Sequence, residues 1–380
     1  MHIVINSMIT IDSSFANKNR EFSYYIIKRT LRHKIANCFI AYQGYEPCGC
    51  VTETKYGYEL PCRAGLKIDR GEIHRLIYDI VLSRPEDYLS IYQSGCNHNC
   101  LKCHSWYFTQ KAKGSWYSPR DILEEVLKYR EIVTVWEPRE RATMWHASDL
   151  CTHCGSCRLY NKRGMFCPNR LEPDQVVWSL QGWGPARNII SFTGGDLYCQ
   201  PAFYIKTFKL IKREAPDLWI HIETNGYGLT RKNLELFYEA GLDSIWLDLK
   251  AYSEDIYRYL CGTTNRWILE IPYIAKELGI VLEIVLLYIP TLVELDEIEK
   301  FAEYLSSIDR GLPVMLLAFF PEYKLLNLRT PTVEEIINAY QVLRSRGLYR
   351  VKIGNIGVFC RDIECIHRLL KEVSRDALAF

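Results

Sequence analysis

The stretch "SGCNHNCLKCHS", residues 94–105, sets cysteines at 96, 100 and 103 directly behind a short apolar run, residues 88–92. The run predicts a strand, and the loop that leaves it carries three thiols close together with no fourth beside them. A [4Fe–4S] cluster has four irons, so a C-x3-C-x2-C loop can hold three of them and leave the last open to a ligand that is not protein. Structural zinc would want four donors, and His98 or His104 could supply the missing one, so zinc stays open at this point.

Outward from this loop, strand and helix patterns alternate. Apolar runs at 188–196 ("NIISFTGGD"), 218–226 ("LWIHIETNG"), 244–250 ("SIWLDLK"), 281–290, 313–320 and 350–357 read as buried strands, which with residues 88–94 makes seven. Helical patterns such as "RKNLELFYEAGL" separate them, and Ser118-Pro119 ahead of Ile122, Leu123, Val126 and Leu127 predicts a capped helix with proline in its first turn. The pattern breaks between 131 and 172, an irregular insertion with four cysteines. Parallel strands joined by crossover helices form an open doubly wound sheet or a partial or complete (β/α) barrel, and both gather function at the strands' carboxyl ends. The polar motifs lie at those ends.

Composition narrows the class. The 380 residues are 48% hydrophobic, enough for a sizeable core, and a net charge of +2 gives no reason to expect a nucleic-acid or membrane partner. The amino terminus lacks the features of a secretion signal, and the longest apolar run is short and interrupted by Glu283, so a soluble cytoplasmic protein is expected. Fifteen cysteines without a secretion signal, several at x2 and x3 spacing, suit shared metal better than a disulfide framework. The scattered Cys199, Cys261, Cys360 and Cys365 read as small buried hydrophobes.

The loop "CNHNCLKC" followed by "HS", then "SFTGGD", "IETNG", "LDLK" and "LEIVLLYIP" in that order, resembles the radical S-adenosylmethionine (radical SAM) superfamily. Within it the chain is most similar to the activating enzymes of pyruvate formate-lyase and related glycyl-radical enzymes, over residues 88 to 358. The resemblance implies a TIM-type radical SAM barrel whose open iron chelates S-adenosylmethionine, with reductive cleavage giving a 5′-deoxyadenosyl radical. It assigns Cys96, Cys100 and Cys103 to the cluster, and Gly194, Gly195 and Asp196 to the methionyl group, with Asp196 accepting its ammonium. Lys250 would pair with the methionyl carboxylate, Asp248 would hold Lys250 or the ribose, and Thr224 and Asn225 would bond the cofactor. Two positions depart from the family's pattern: Lys102 stands where an apolar residue usually precedes the last cysteine, and Asp196 stands where many relatives have Glu.

The insertion holds Cys151-x2-Cys154-x2-Cys157-x9-Cys167 followed by Pro168, which resembles half of a bacterial ferredoxin. Four thiolates close a second [4Fe–4S] cluster, expected to relay electrons to the first, with zinc as the alternative. Residues 1–85 form an expected amino-terminal subdomain, with a candidate zinc or iron site at Cys38, Cys48, Cys50 and Cys62 and a basic helix over 22–35. The barrel is expected over 86–358, with a helical tail over 359–380. An electron donor such as ferredoxin or flavodoxin is implied, and a glycyl-radical protein is the favoured substrate. A small molecule, lipid, peptide or RNA target is the alternative, and a non-catalytic iron–sulfur protein is a third reading.

Overall fold

The computed structural model describes residues 39–379, so Cys38 and the helix expected over 22–35 lie outside the described residues. A small hairpin comes first, β1 (Thr52–Thr54) and β2 (Gly57–Glu59), followed by β3 (Leu66–Asp69) and the long β4 (Glu72–Leu82). Then come β5 (Leu89–Gln93), β6 (Ser115–Tyr117) and a second hairpin, β7 (Val177–Ser179) and β8 (Gly182–Gly184). The remaining strands are β9 (Ile189–Gly194), β10 (Trp219–Thr224), β11 (Ser244–Leu249), β12 (Val281–Tyr288), β13 (Val314–Ala318) and β14 (Val351–Gly354).

Seven strands, β5 and β9 to β14, lie side by side in chain order, every neighbouring pair parallel. Among the described residues β14 does not pair back onto β5. Its outer edge receives the tail instead, where the Ala379 amide donates to the Ile353 carbonyl at 2.9 Å. The architecture is a partial (β/α) barrel. At its other edge β4 and β3 continue the sheet in antiparallel sense, and β6 pairs with β4, so no break in the sheet marks residue 85.

The helices of eight residues or more among the described residues are α1 (Pro119–Arg130), α2 (Ala202–Glu214), α3 (Arg231–Ala240), α4 (Glu254–Cys261), α5 (Ile271–Leu278), α6 (Leu295–Ile308), α7 (Val333–Ser345) and α8 (Ile363–Glu372). Ser118 caps α1 in a capping box with Asp121, with Pro119 in the first turn, as the sequence predicts. None is long and apolar enough to cross a membrane among the described residues.

β9, β10 and β11 alternate because their two faces meet different surroundings, whereas β12 and β13 are largely apolar on both. Outward-facing Ile190, Phe192, Ile220, Ile222, Ile245, Leu247, Ile284 and Leu286 are fully buried against the helices. Phe192 is a fair measure of that layer. It lies against Tyr204 and Phe208 of α2, and its replacement by Ala would cost about 3–5 kcal/mol. Inward, the same strands present Ser191, Thr193, His221, Glu223, Asp248 and Glu283, which gives the barrel a polar lumen.

The insertion closes the amino end of that lumen. A chain leaves a strand at its carboxyl end and its helix runs back, so the link from α1 to β9 must lie at the opposite end from the cysteine loop. Arg139 donates to the Gly279 carbonyl just ahead of β12, the Trp219 indole at the start of β10 donates to the Glu137 carbonyl, and Ser244 at the start of β11 donates to the Ala142 carbonyl. Arg187, fully buried, ties Glu137, Arg141 and Thr143 together, and Lys352 of β14 reaches the Trp145 carbonyl and Asp149. In the tail, Cys360 and Cys365 form a disulfide, which corrects the expectation that both are isolated buried thiols; five residues apart across the start of α8, they are within bonding reach. Cys199 and Cys261 are buried and form no disulfide, as expected.

Candidate active site

The three-cysteine loop leaves β5 at its carboxyl end and is wedged against the end of β9. Gly95, at φ +81°, turns the chain there, and a side chain on Gly195 would have its Cβ 2.2 Å from the Gly95 carbonyl oxygen. Gly194, also at positive φ, would drive a Cβ to 2.7 Å from Phe108. The glycine pair therefore serves first to let the cysteine loop approach β9, a need that precedes any cofactor contact. Arg75 of β4 locks the junction. Its guanidinium is fully buried and donates to the carbonyls of Gly65, Ser94, Gly95 and Gly195.

Asp196 holds the next layer. It is 3% exposed, and its carboxylate already accepts four hydrogen bonds: from Asn97 Nδ2 (3.0 Å), the Tyr198 amide (3.2 Å), Thr224 Oγ1 (2.6 Å) and the Asn225 amide (3.2 Å). Burial raises its pKa, and these donors oppose the rise. Asn225 donates to Asn97 Oδ1 at 2.8 Å, and its amide nitrogen stands 3.7 Å from Cys96 Sγ. The structure thus brings Asp196, Thr224, Asn225 and Cys96 into one network, but Asp196 has few lone pairs left for an ammonium.

Asn97 Oδ1 can only accept, so the His98 Nδ1 facing it at 3.0 Å carries the proton. Nε2 then accepts from Tyr257 at 2.8 Å and Thr263 at 3.2 Å. Burial pushes the His98 pKa down to about 3, so the ring is neutral and has no nitrogen to spare for a metal. His104 is exposed and faces Glu322.

On the other side of the loop, a small cavity is lined by Cys100, Lys102, Lys250, Leu260, Cys261, Leu287 and Ile289. Burial alone would lower the Lys250 pKa, but contact with Asp248 and the nearby Cys100 outweigh it and keep the ammonium charged. Lys102 is not in solvent: it pairs with Glu322 at 2.6 Å and lies 3.5 Å from the centre of the Phe320 ring. The loop itself is tied to α4, whose Cys261 and Leu260 carbonyls accept from the amides of Asn99 and Leu101.

The insertion's cysteines lie apart from this loop. Cys151, Cys154, Cys157 and Cys167 sit at the amino end, where His153 bonds Asp87 at 2.9 Å just ahead of β5. Cys48 and Cys50 belong to the segment that crosses the carboxyl face. Among the described residues no three Cys, His, Asp or Glu side chains converge on one point for a single metal ion. A cubane's thiolates bind separate irons at separate corners, and the soft three-thiol set on the loop fits that group. Sequence reading missed Arg75, Asn97 and Tyr257, and took His98 for a possible metal donor and Cys261 for a small core residue. Only Arg75 left a signal, a cation within the apolar run of β4.

The family model described as "Radical SAM superfamily" matches residues 150–305. That span carries β9 to β12 with Gly194, Gly195, Asp196, Thr224, Asn225, Asp248 and Lys250 at their ends, and the three-cysteine loop lies ahead of it. Residues 150–305 are therefore similar to the radical SAM superfamily. The chain is 35% identical over 138 residues to a Methanocaldococcus jannaschii protein provisionally named a glycyl-radical enzyme activating enzyme, covering 35% of this chain and 51% of that one. The pyruvate formate-lyase-activating enzyme of Clostridium pasteurianum is 26% identical over 189 residues, 47% of this chain and 75% of that one. A crystal structure of a domain of the pyruvate-formate lyase-activating enzyme from Bacteroides vulgatus aligns with a TM-score of 0.38 at 21% identity, over 44% of this chain and 98% of that one. The chain spans about half the length of the first of these relatives.

Proposed function

We propose that this chain is a radical SAM activating enzyme that binds S-adenosylmethionine at a [4Fe–4S] cluster on Cys96, Cys100 and Cys103 and removes a hydrogen atom from a glycine of a partner protein. The observation that carries the reading is the meeting of the three-thiol loop, the Asp196 network and the Asp248–Lys250 pair at the carboxyl rim of the parallel strands. When bound, cluster and cofactor supply one-electron cleavage of the sulfonium to a 5′-deoxyadenosyl radical.

The chain's own residues bind and orient. Lys250, charged and facing the cavity beside Cys100, is the group for the methionyl carboxylate, with Asp248 holding it in place. Asp196 acts as a positioning residue: it fixes Asn97, Thr224 and Asn225 around Cys96, which replaces the ammonium contact expected from the sequence. The names of the two curated relatives support a protein glycine as the substrate.

For the insertion we propose a second [4Fe–4S] cluster on Cys151, Cys154, Cys157 and Cys167. Its place argues against a direct relay. Asp87, which anchors the insertion through His153, lies just ahead of β5, and Cys96 follows the strand's far end, so the five residues of β5 set the two ends about 17 Å apart at 3.3 Å per residue. Electron tunnelling weakens exponentially over such a span, so a ferredoxin or flavodoxin would serve the catalytic loop from the carboxyl side.

Anaerobic reconstitution with dithionite and S-adenosylmethionine tests the reading. 5′-Deoxyadenosine should form, and adding a glycyl-radical protein encoded beside this chain should give that radical's doublet by electron paramagnetic resonance. Cleavage without the doublet would turn the substrate reading toward a small molecule, lipid, peptide or RNA. No cleavage at all would end it.

A further inference from the structure

The segment ahead of β3 lies across the carboxyl face and covers the cysteine loop. The Glu53 amide donates to the Gln110 carbonyl at 2.8 Å, and the Ala112 amide donates to the Glu53 carbonyl at 2.7 Å. Gln110 in turn donates to the His98 carbonyl inside the loop at 3.0 Å. Glu46 anchors the segment's start through a 3.0 Å pair with Arg258 of α4.

Two side chains of this cover are buried without an evident purpose. Cys50 is 2% exposed, and Thr52 is fully buried with its hydroxyl lacking any hydrogen-bond partner. An unpaired buried hydroxyl is costly, on the order of 1–3 kcal/mol, so it signals a missing acceptor. That hydroxyl lies 3.7 Å from where a Cβ on Gly95 would stand, beside Cys96. Cys50, two residues earlier, is buried like Thr52, with the less buried Val51 between them. Burial, then the charges of Cys48, Cys96 and Cys100, raise the Cys50 pKa, so its sulfur lies within electrostatic reach of two loop thiols.

We propose that Cys50 is a resident fourth ligand: its thiolate closes the open iron while S-adenosylmethionine is absent and leaves when the cofactor binds, with Thr52 donating to a sulfur of the cluster. This rests on the reading of the loop as a cluster site. The exchange moves no electrons. The Sγ–Fe bond forms as the thiol gives its proton to solvent, and it breaks as the cofactor's amino and carboxylate groups take the iron and the thiolate recovers a proton. Metal contact is what makes a thiolate tolerable at so buried a position, and once released the neutral thiol suits it. The cover would shield the exposed iron until the cofactor replaces it.

The test uses the reconstituted full chain. Alkylation of Cys50 by iodoacetamide, followed by mass spectrometry, should rise about tenfold or more when S-adenosylmethionine is added, as expected when a metal-bound thiol becomes free. Equal labelling in both states, high or low, would overturn the proposal. Independently, ferricyanide should produce the paramagnetic [3Fe–4S] signal far more strongly in Cys50→Ala than in the parent chain, while Cys48→Ala behaves like the parent. Equal signals, or loss of zinc on Cys50→Ala, would also overturn it. If replacing Cys96, Cys100 and Cys103 by Ala removes no iron, the cluster reading itself fails. If that iron is lost but Cys50 is indifferent to the cofactor, only the fourth-ligand proposal fails.

Discussion

The two cysteine-rich regions of this chain use the same ligand and are built in opposite ways. The three-cysteine loop is held from every side: Arg75 grips its backbone, Asp196 its asparagine, and α4 its amides. The insertion's cysteine stretch turns outward instead. Cys154 is exposed, Leu159, Tyr160 and Met165 are each more than half exposed, and Arg158, Lys162, Arg163 and Arg170 line a stretch from 151 to 171 without a single acidic residue. The difference follows from connectivity. A loop that follows a strand arrives at the catalytic rim, and one that follows a helix arrives at the closed end.

Removing each set should separate the two most sharply. Replacing Cys96, Cys100 and Cys103 by Ala should abolish 5′-deoxyadenosine formation and remove about four irons per chain. Replacing Cys151, Cys154, Cys157 and Cys167 should remove a similar amount yet leave dithionite-driven cleavage largely intact. Iron analysis with product assays on both variants decides it, and equal loss of cleavage would erase the distinction.

Next in size is the clamp. Arg75→Met leaves the buried carbonyls of Ser94, Gly95 and Gly195 without this donor and should cost about 2–4 kcal/mol in urea unfolding, with poor iron loading at the loop alone. Iron loss from both regions would mean that Arg75 supports the whole sheet.

Within the catalytic region, Lys250→Met should weaken S-adenosylmethionine binding by about 1.5–3 kcal/mol, the worth of a charge-assisted hydrogen bond. Lys102→Ala should weaken it far less, because that ammonium is already committed to Glu322 and Phe320. Equilibrium binding to the reconstituted variants gives the ranking, and the reverse order would move the cofactor away from Lys250.

The smallest effect concerns the lumen between the two ends. Burial, with Glu86 nearby, pushes the Glu223 pKa up to about 7, while Tyr88, Ser191 and Thr193 donate to its carboxylate. The folded chain therefore holds a proton that the unfolded chain releases near 4.5. Stability from this group is complete below 4.5 and is lost as pH rises through 7. Glu223→Gln should gain about 1–2 kcal/mol on the parent between pH 5 and pH 8, read from thermal unfolding at both. A constant difference would mean that Glu223 is ionised throughout.

Much of this was legible in the sequence. Patterns at 244–250 and 281–290 became β11 and β12 almost residue for residue, because short runs this rich in apolar residues suit buried parallel strands. The insertion's position was legible as well, since it lies between a helix and a strand. The roles of Arg75 and Asp196 were not. Arg75 meets Gly195 at a separation of 120 residues, and no local pattern marks such a contact. Gly195 was assigned to the methionyl group for the same reason: the carbonyl it makes room for belongs to residue 95.

The sealed amino end has a further consequence. A vessel with one mouth imposes a queue. With residues 137–149 filling the floor, cofactor, substrate and product must all pass the same rim, so whatever arrives second becomes the stopper for what is already inside. A substrate as large as a protein loop would then act as its own lid, keeping water and oxygen from the reacting atoms for as long as it stays.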